Sequence, residues 1–327
     1  MTDYTFFSAL LDCVRQGGTL VLCTVVDSAG SAPRGAGARM ALLPDGAWLG
    51  TVGGGAVEHL VQERAAQVLA GTAQSGLVHH SLGGEGSSTG MVCGGAVTVC
   101  IQSLGPQQLS QLERLVDFLK SGTPCLLLLD KVNEAPGFSV YGEGETPSDL
   151  SARPQTAPLL EEDMYTEPMG QDGVLYLFGG GHVGQALAPM LAQVGFRVVV
   201  FDSREELARP ERFPGAEQVV RGSFDRIGEQ VQLTSRDYAV VMTPGHRNDL
   251  EVLCQVLDQN PYYVGCMGSR RKRAFLREEL ARRGFSQAQM DAIHLPIGLD
   301  IGGETPAEIA VSVTAQLIQV RSGRLGR

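Results

Sequence analysis

Apolar runs of strand length alternate with stretches of helical spacing along the chain, and the two halves do so differently. Met1–Gly18 reads as an amphipathic helix containing Asp12 and Arg15, and the run TLVLCTVVD (Thr19–Asp27) predicts a buried, β-branched strand. ARMALL and AWLGTV flank Pro44-Asp45-Gly46, a hairpin signature. Gly53-Gly54-Gly55 then opens a helix from Ala56 to Ala70 with Val57, Leu60, Val61, Ala65, Val68 and Leu69 on one face, and Gly71 stands where a helix terminator belongs. LVHHSL and AVTVCIQSL read as strands around a glycine-rich loop, and a helix from Pro106 to Lys120 leads into the strand CLLLLDKV.

Between Gly142 and Asp172 the periodicity disappears, and Pro, Glu, Ser, Thr and Gly dominate. We read 142–172 as a linker between an N-terminal domain (1–141) and a C-terminal one (173–327). From Gly173 the pattern is regular: GVLYLF, helix, FRVVVFD, EQVV, YAVVMT, helix from Asn248, YYVGCMG, helix from Ser269, and a last helix from Thr305 to Arg321. Short apolar strands separated by long helices predict a parallel sheet covered on both faces. Thr305 and Glu308 with Pro306 form a capping box. The expected fold is therefore α/β, with a C-terminal Rossmann-like doubly wound parallel sheet and a smaller mixed α/β N-terminal domain.

Composition narrows the function class. The 327 residues are 43% hydrophobic and 19% charged, as a globular chain with a real core should be, and the net charge of −10 argues against a nucleic-acid partner. Seven cysteines without a CxxC pair predict a reducing compartment and no disulfide framework. The N-terminus lacks a signal-peptide pattern and no apolar run is long enough to span a bilayer, so a cytoplasmic protein with no membrane partner is expected. No Cys/His spacing suggests a metal site.

Candidate chemistry falls in two groups. Gly179, Gly181 and Gly184 make GxGxxG in FGGGHVG, after a strand and opening a helix, with Asp202 ending the next strand. In that context the fingerprint predicts a nucleotide site, the pyrophosphate lying on the helix N-terminus and Asp202 on a ribose hydroxyl. Arg204 would instead meet a 2′-phosphate, which leaves NAD and NADP both open. Packing of helix on strand is the competing explanation for the glycines. His246 lies in a loop where a general acid or base would sit, although a lone loop histidine more often satisfies a backbone carbonyl, and His182 opens the helix after the glycine fingerprint. Ser269 and Arg270 begin the run Arg270-Arg271-Lys272-Arg273, whose four cations oppose the helix dipole by some tenths of a kcal/mol each, a conflict that an anion would relieve and a solvated face would tolerate.

The second group comprises three glycine-rich segments: Gly30–Gly35 with Arg34, Val52–Gly55, and Gly90–Gly95. Consecutive backbone amides there can form an anion-binding concavity, and Arg34 adds a planar cation. Cys93, set among polar and glycine residues, suits an exposed reactive thiol, whereas Cys23, Cys100, Cys125 and Cys266 sit in apolar strands as small hydrophobes.

Taken together, GSAPRGAGARM, GTVGGGAVE, GMVCGG, LYLFGGGHVGQALAPML, FDSR, RFPGA, VVMTPGHRND, YYVGCMGSRRKR and LPIGLDIGGETPAEIAVSV, in order from about residue 8 to residue 321, resemble the XdhC/CoxI family of xanthine dehydrogenase accessory proteins. The resemblance implies a chaperone that binds molybdenum cofactor (molybdopterin), holds it while a cysteine desulfurase supplies the sulfido ligand, and delivers it to a xanthine dehydrogenase-type hydroxylase. It also implies a homodimer that is not part of the mature hydroxylase. By that resemblance Cys93 stands near molybdenum or in sulfur transfer, Gly53, Gly54, Gly55, Gly94 and Gly95 donate amides, and Arg34 counters the cofactor's charge. The rival reading is an NAD(P)-dependent oxidoreductase using His246 or His182.

Overall fold

The computed structural model describes residues 1–81, 95–147, 150, 157–170 and 173–324. The chain divides into two compact units, Met1–Gln171 and Asp172–Arg327.

In the first unit, β1 (Leu20–Gly30), β2 (Arg39–Leu42), β3 (Trp48–Gly50), β4 (Gly76–Ser81) and β5 (Gly95–Leu104) form an antiparallel sheet in the order β3-β2-β1-β5-β4. The alternation of β1 sorts its side chains onto two cores. Val21, Cys23 and Val25 pack with Val57, Val61, Ala65 and Val68 of α2 (Gly55–Leu69). Leu20, Leu22 and Val26 face α1 (Asp3–Arg15), α3 (Leu109–Ser121) and a second antiparallel sheet. That sheet runs β7-β6-β9-β8, from β6 (Cys125–Asp130), β7 (Ser139–Tyr141), β8 (Leu159–Glu161) and β9 (Met164–Met169). The predicted hairpin around Pro44–Gly46 is present, with Met40 opposite Gly50 and Leu42 opposite Trp48.

Residues 159–169, expected as linker, are instead the β8–β9 hairpin, and β9 is the inner partner of β6 along its whole length. The strand is polar in sequence because it carries a buried charge. Glu167 receives a hydrogen bond from the guanidinium of Arg39 and another, 2.8 Å, from the Tyr165 hydroxyl. Arg39 also bonds Asp3 of α1 at 2.7 Å and lies 5.0 Å above the ring of Phe7. The Arg39 and Glu167 side chains are only 5% and 6% exposed. This ion pair joins α1, β2 and β9 across the core.

The second unit is a six-stranded parallel sheet in the order β12-β11-β10-β13-β14-β15: β10 (Val174–Phe178), β11 (Arg197–Asp202), β12 (Gln218–Arg221), β13 (Tyr238–Val241), β14 (Tyr263–Cys266) and β15 (Ile293–His294). This is the doubly wound order with its switch point between β10 and β13. One face packs on α4 (His182–Gln193) and α8 (Pro306–Arg324) through Leu175, Leu177, Val198, Val200 and Val240. The other packs on α5 (His246–Gln259), α6 (Arg270–Arg282) and α7 (Gln287–Asp291). The Thr305–Glu308 capping box is made: the Thr305 amide donates to the Glu308 carboxylate at 2.9 Å and the Glu308 amide to Oγ1 of Thr305 at 3.3 Å. Among the described residues no helix is long and apolar enough to cross a membrane.

Candidate functional site

In the first unit, two of the glycine-rich segments and Gly95, the last residue of the third, meet at one end of the five-stranded sheet. Gly53, at φ +131°, lies so close to the 31–34 loop that a Cβ there would come within 2.7 Å of Pro33 and 3.4 Å of Arg34. Gly95, paired with Gly30 at the end of β5, would place a Cβ 2.8 Å from the carbonyl of Ala29 and 3.2 Å from the amide of Ser31. Side chains at either position would push the loops apart, so glycine is a condition of the convergence. Cys93 and Gly94 lie outside the described residues, and Gly95 is the described end of their segment.

Glycine also leaves the start of α2 without a side-chain cap, since Gly54 holds the cap position. Glu58, one turn into the helix, takes over. Its carboxylate accepts from the Val52 and Gly54 amides at 3.1 Å each and from the Thr51 hydroxyl, while the Gly53 amide donates to Oγ1 of Thr51 at 3.1 Å. Burial raises the Glu58 carboxyl, but these bonds outweigh it and hold the group below its ordinary value. The turn is an anion-binding nest, as its glycines predict. Its occupant in this structure is the chain's own carboxylate, so the Gly53 and Gly54 amides expected to face a ligand are engaged within the turn. Arg34 is exposed and forms no ion pair among the described residues. Among the described residues it is a cation at this end that is left without an internal ion pair.

In the second unit, the loops after β10, β13 and β14 stand side by side at the carboxyl edge of the sheet, where open α/β sheets take their ligands. A Cβ on Gly179 would come within 2.3 Å of the Met242 carbonyl, and one on Gly184 equally close to the Gly179 carbonyl, so both glycines serve close packing. Gly181 caps α4, and a Cβ there would meet nothing within 4 Å. The second glycine of the fingerprint thus opens on free space, as a pyrophosphate-binding turn requires.

Asp202 ends β11 fully buried. It accepts from the Gly180 amide at 2.7 Å and from the Arg204 side chain at 2.9 and 2.8 Å. Burial acts to raise its carboxyl, but the hydrogen bonds of Arg204 and Gly180 prevail and keep it below its ordinary value. Expected as a ribose acceptor, it instead ties the glycine loop to the end of β11. His182 and His246 are exposed first residues of α4 and α5, and the ring of His246 stands edge-on to Phe275 with centroids 5.1 Å apart.

Lys272, from the cationic run, and Asp249, which the sequence does not single out, complete this edge. Asp249, fully buried, accepts from the amide and hydroxyl of Thr243 at 3.0 and 2.8 Å, and its other oxygen lies 2.5 Å from Lys272 Nζ. Lys272 also donates to the Met267 carbonyl at 2.6 Å. Ser269 caps α6 by accepting from the Lys272 amide. One of the four cations of the Arg270–Arg273 run is therefore neutralised internally, while Arg270 and Arg271 remain exposed. A lysine among arginines and an aspartate 23 residues earlier in sequence carry no local signature of this pairing.

The strand cysteines are buried as expected. Burial pushes the thiols of Cys100, Cys125 and Cys266 up to about 12 and raises that of Cys23. Among the described residues no group of three or more His, Cys, Asp or Glu side chains is placed to hold a metal ion.

Comparison with known proteins gives a consistent picture. Residues 13–81 match the model of the XdhC and CoxI family, and residues 175–317 that of the XdhC Rossmann domain. A protein of Escherichia coli K12 named uncharacterized protein YqeB is 28% identical over 95% of this chain, which spans only 45% of that relative's length. A probable xanthine dehydrogenase subunit of Bacillus subtilis is 29% identical, with 97% of each chain covered. The molybdenum cofactor insertion chaperone PaoD of Escherichia coli is 22% identical over 97% of this chain and 88% of its own. A crystal structure of a xanthine dehydrogenase from Bacillus halodurans superposes with a TM-score of 0.82 at 24% identity, covering 99% of this chain and 97% of that one, and supports the fold.

Proposed function

Because the chain belongs to the XdhC and CoxI family, we propose that it is an accessory protein that carries molybdenum cofactor to a xanthine dehydrogenase-type hydroxylase. The names of the Bacillus subtilis relative and of PaoD support that role. The observation that carries the reading is the meeting of Gly53, Gly95 and the Arg34 loop at one sheet end. A molybdopterin is an anionic cargo, and a preformed turn that already coordinates one carboxylate, beside an exposed guanidinium, is chemically suited to it. In this reading Arg34 meets the cargo's phosphate, and Glu58 keeps the glycine turn in shape until a stronger anion competes for its amides. Cys93, the thiol of the family's GMxCGG motif, receives or relays sulfur from a cysteine desulfurase. The carrier is cytoplasmic, dimeric and performs no turnover of its own.

Anaerobic incubation with molybdenum cofactor, gel filtration, and assay of molybdenum and pterin in the protein peak tests the proposal. We expect both to co-elute with the wild-type chain and Arg34→Ala to retain less than a third as much. No retained pterin or molybdenum would replace a carrier with a scaffold that only bridges other proteins.

A further inference from the structure

The end of β11 pairs an acid with a base in a way that bears on which nucleotide the Rossmann crevice can take. A carboxylate has about four lone-pair sites, and Asp202 has all of them filled. Oδ1 accepts from the Arg204 amide and Nε, both at 2.9 Å, and Oδ2 from the Gly180 amide at 2.7 Å and Arg204 Nη2 at 2.8 Å. A free ribose diol is recognised at this position by giving a hydroxyl proton to the carboxylate. Here that proton would find no acceptor.

Arg204 has the opposite balance. Of the five N–H groups of a guanidinium, one on Nε and one on Nη2 face Asp202. The three others lie on the outer edge of a side chain that is 34% exposed. Ser203, also exposed, precedes it. Glu206 attracts Arg204 at longer range without forming an ion pair with it. Arg221, opposite Asp202 on β12, is paired with Glu205 at 2.9 Å. The crevice therefore offers donors where a diol needs an acceptor, and the buried carboxylate behind the guanidinium fixes the fork rather than competing for its outer edge.

We propose that this crevice selects a dinucleotide whose ribose carries a 2′-phosphate, as in NADP, over one with a free diol, as in NAD. A phosphate dianion brings only acceptors and suits the planar outer edge of Arg204 together with the Ser203 hydroxyl. The selection concerns the second unit alone and stands or falls independently of the cargo proposed for the first.

Isothermal titration of the full chain with NADP+ and with NAD+ tests it. NADP+ binds at least about tenfold tighter, the gain ordinarily given by a charge-assisted forked contact. Arg204→Ala abolishes that preference, and NAD+ affinity holds or rises because two lone pairs of Asp202 are released. Arg204→Lys, which keeps the charge and loses the fork, falls between. Equal or tighter binding of NAD+ to the wild-type chain overturns the proposal, as does failure of both to bind at millimolar concentration. An unchanged preference in an Arg204→Ala chain with native circular dichroism does the same.

Discussion

Replacing Arg39 by methionine strands a charge inside the first unit. Glu167, 6% exposed, would keep only its bond from Tyr165 among the hydrogen bonds described for its carboxylate. Removing one partner of a buried pair costs about 3–5 kcal/mol. Loss of the contact over Phe7 adds about 0.5–1 kcal/mol, and loss of the bond to the half-exposed Asp3 adds little. With a urea dependence of about 1–3 kcal/mol per molar, the unfolding midpoint should fall by roughly 2 M. Trp48, the chain's single tryptophan, lies on β3 and packs against the α2-side core, so its emission follows the first unit alone. Arg39→Met combined with Glu167→Leu removes both charges and should recover at least half of the loss. A single substitution costing less than about 1 kcal/mol, or a double substitution that is simply additive, would show that the pair is solvated and that this account of β9 is mistaken.

Other outcomes follow from the site geometry. Glu58→Gln weakens the cap of α2 by about 0.5–2 kcal/mol, read as a lower Trp48 unfolding midpoint at pH 7. Because the folded Glu58 carboxyl lies below its unfolded value of about 4.3, its stabilisation is complete above that pH and disappears as pH falls through the folded value; the acid limb of the wild-type stability curve should be steeper than that of Glu58→Gln. Lys272→Met leaves Asp249 buried and unpaired, and should lower the stability of the second unit by about 3–5 kcal/mol, seen by circular dichroism as an earlier transition while the Trp48 signal is unmoved. Cys93→Ala should leave both transitions in place and reduce sulfuration of the target hydroxylase; undiminished activation would remove this thiol from the mechanism.

Five of the six strands of the second unit are legible in sequence because each is a short apolar run, and its turns carry their own chemistry, the T-x-x-E box and the glycine fingerprint above all; β15, only Ile293 and His294, has no such run and is not read from the sequence. The β8–β9 hairpin is not. Glu167 and Pro168 read as loop residues, and nothing local marks Glu167 as buried, since its partner Arg39 arrives from 128 positions away. The glycine turn at 53–55 shows itself by pattern, yet its occupant does not, because a glutamate four residues after the cap is an ordinary helix residue until the fold turns it back onto the amides. The same holds at β11: the spacing marks Asp202, whereas only the bonds to Arg204 reveal that its acceptors are filled.

The interior thiols bear on how such a chain can work beside sulfur-transfer chemistry. With burial raising them to about 12, the thiols of Cys100, Cys125 and Cys266 stay protonated at neutral pH. They are thereby withdrawn from exchange with persulfides and oxidants alike. In the proposed sulfuration role, burial thus keeps the core thiols out of the exchange and leaves it to an exposed thiol.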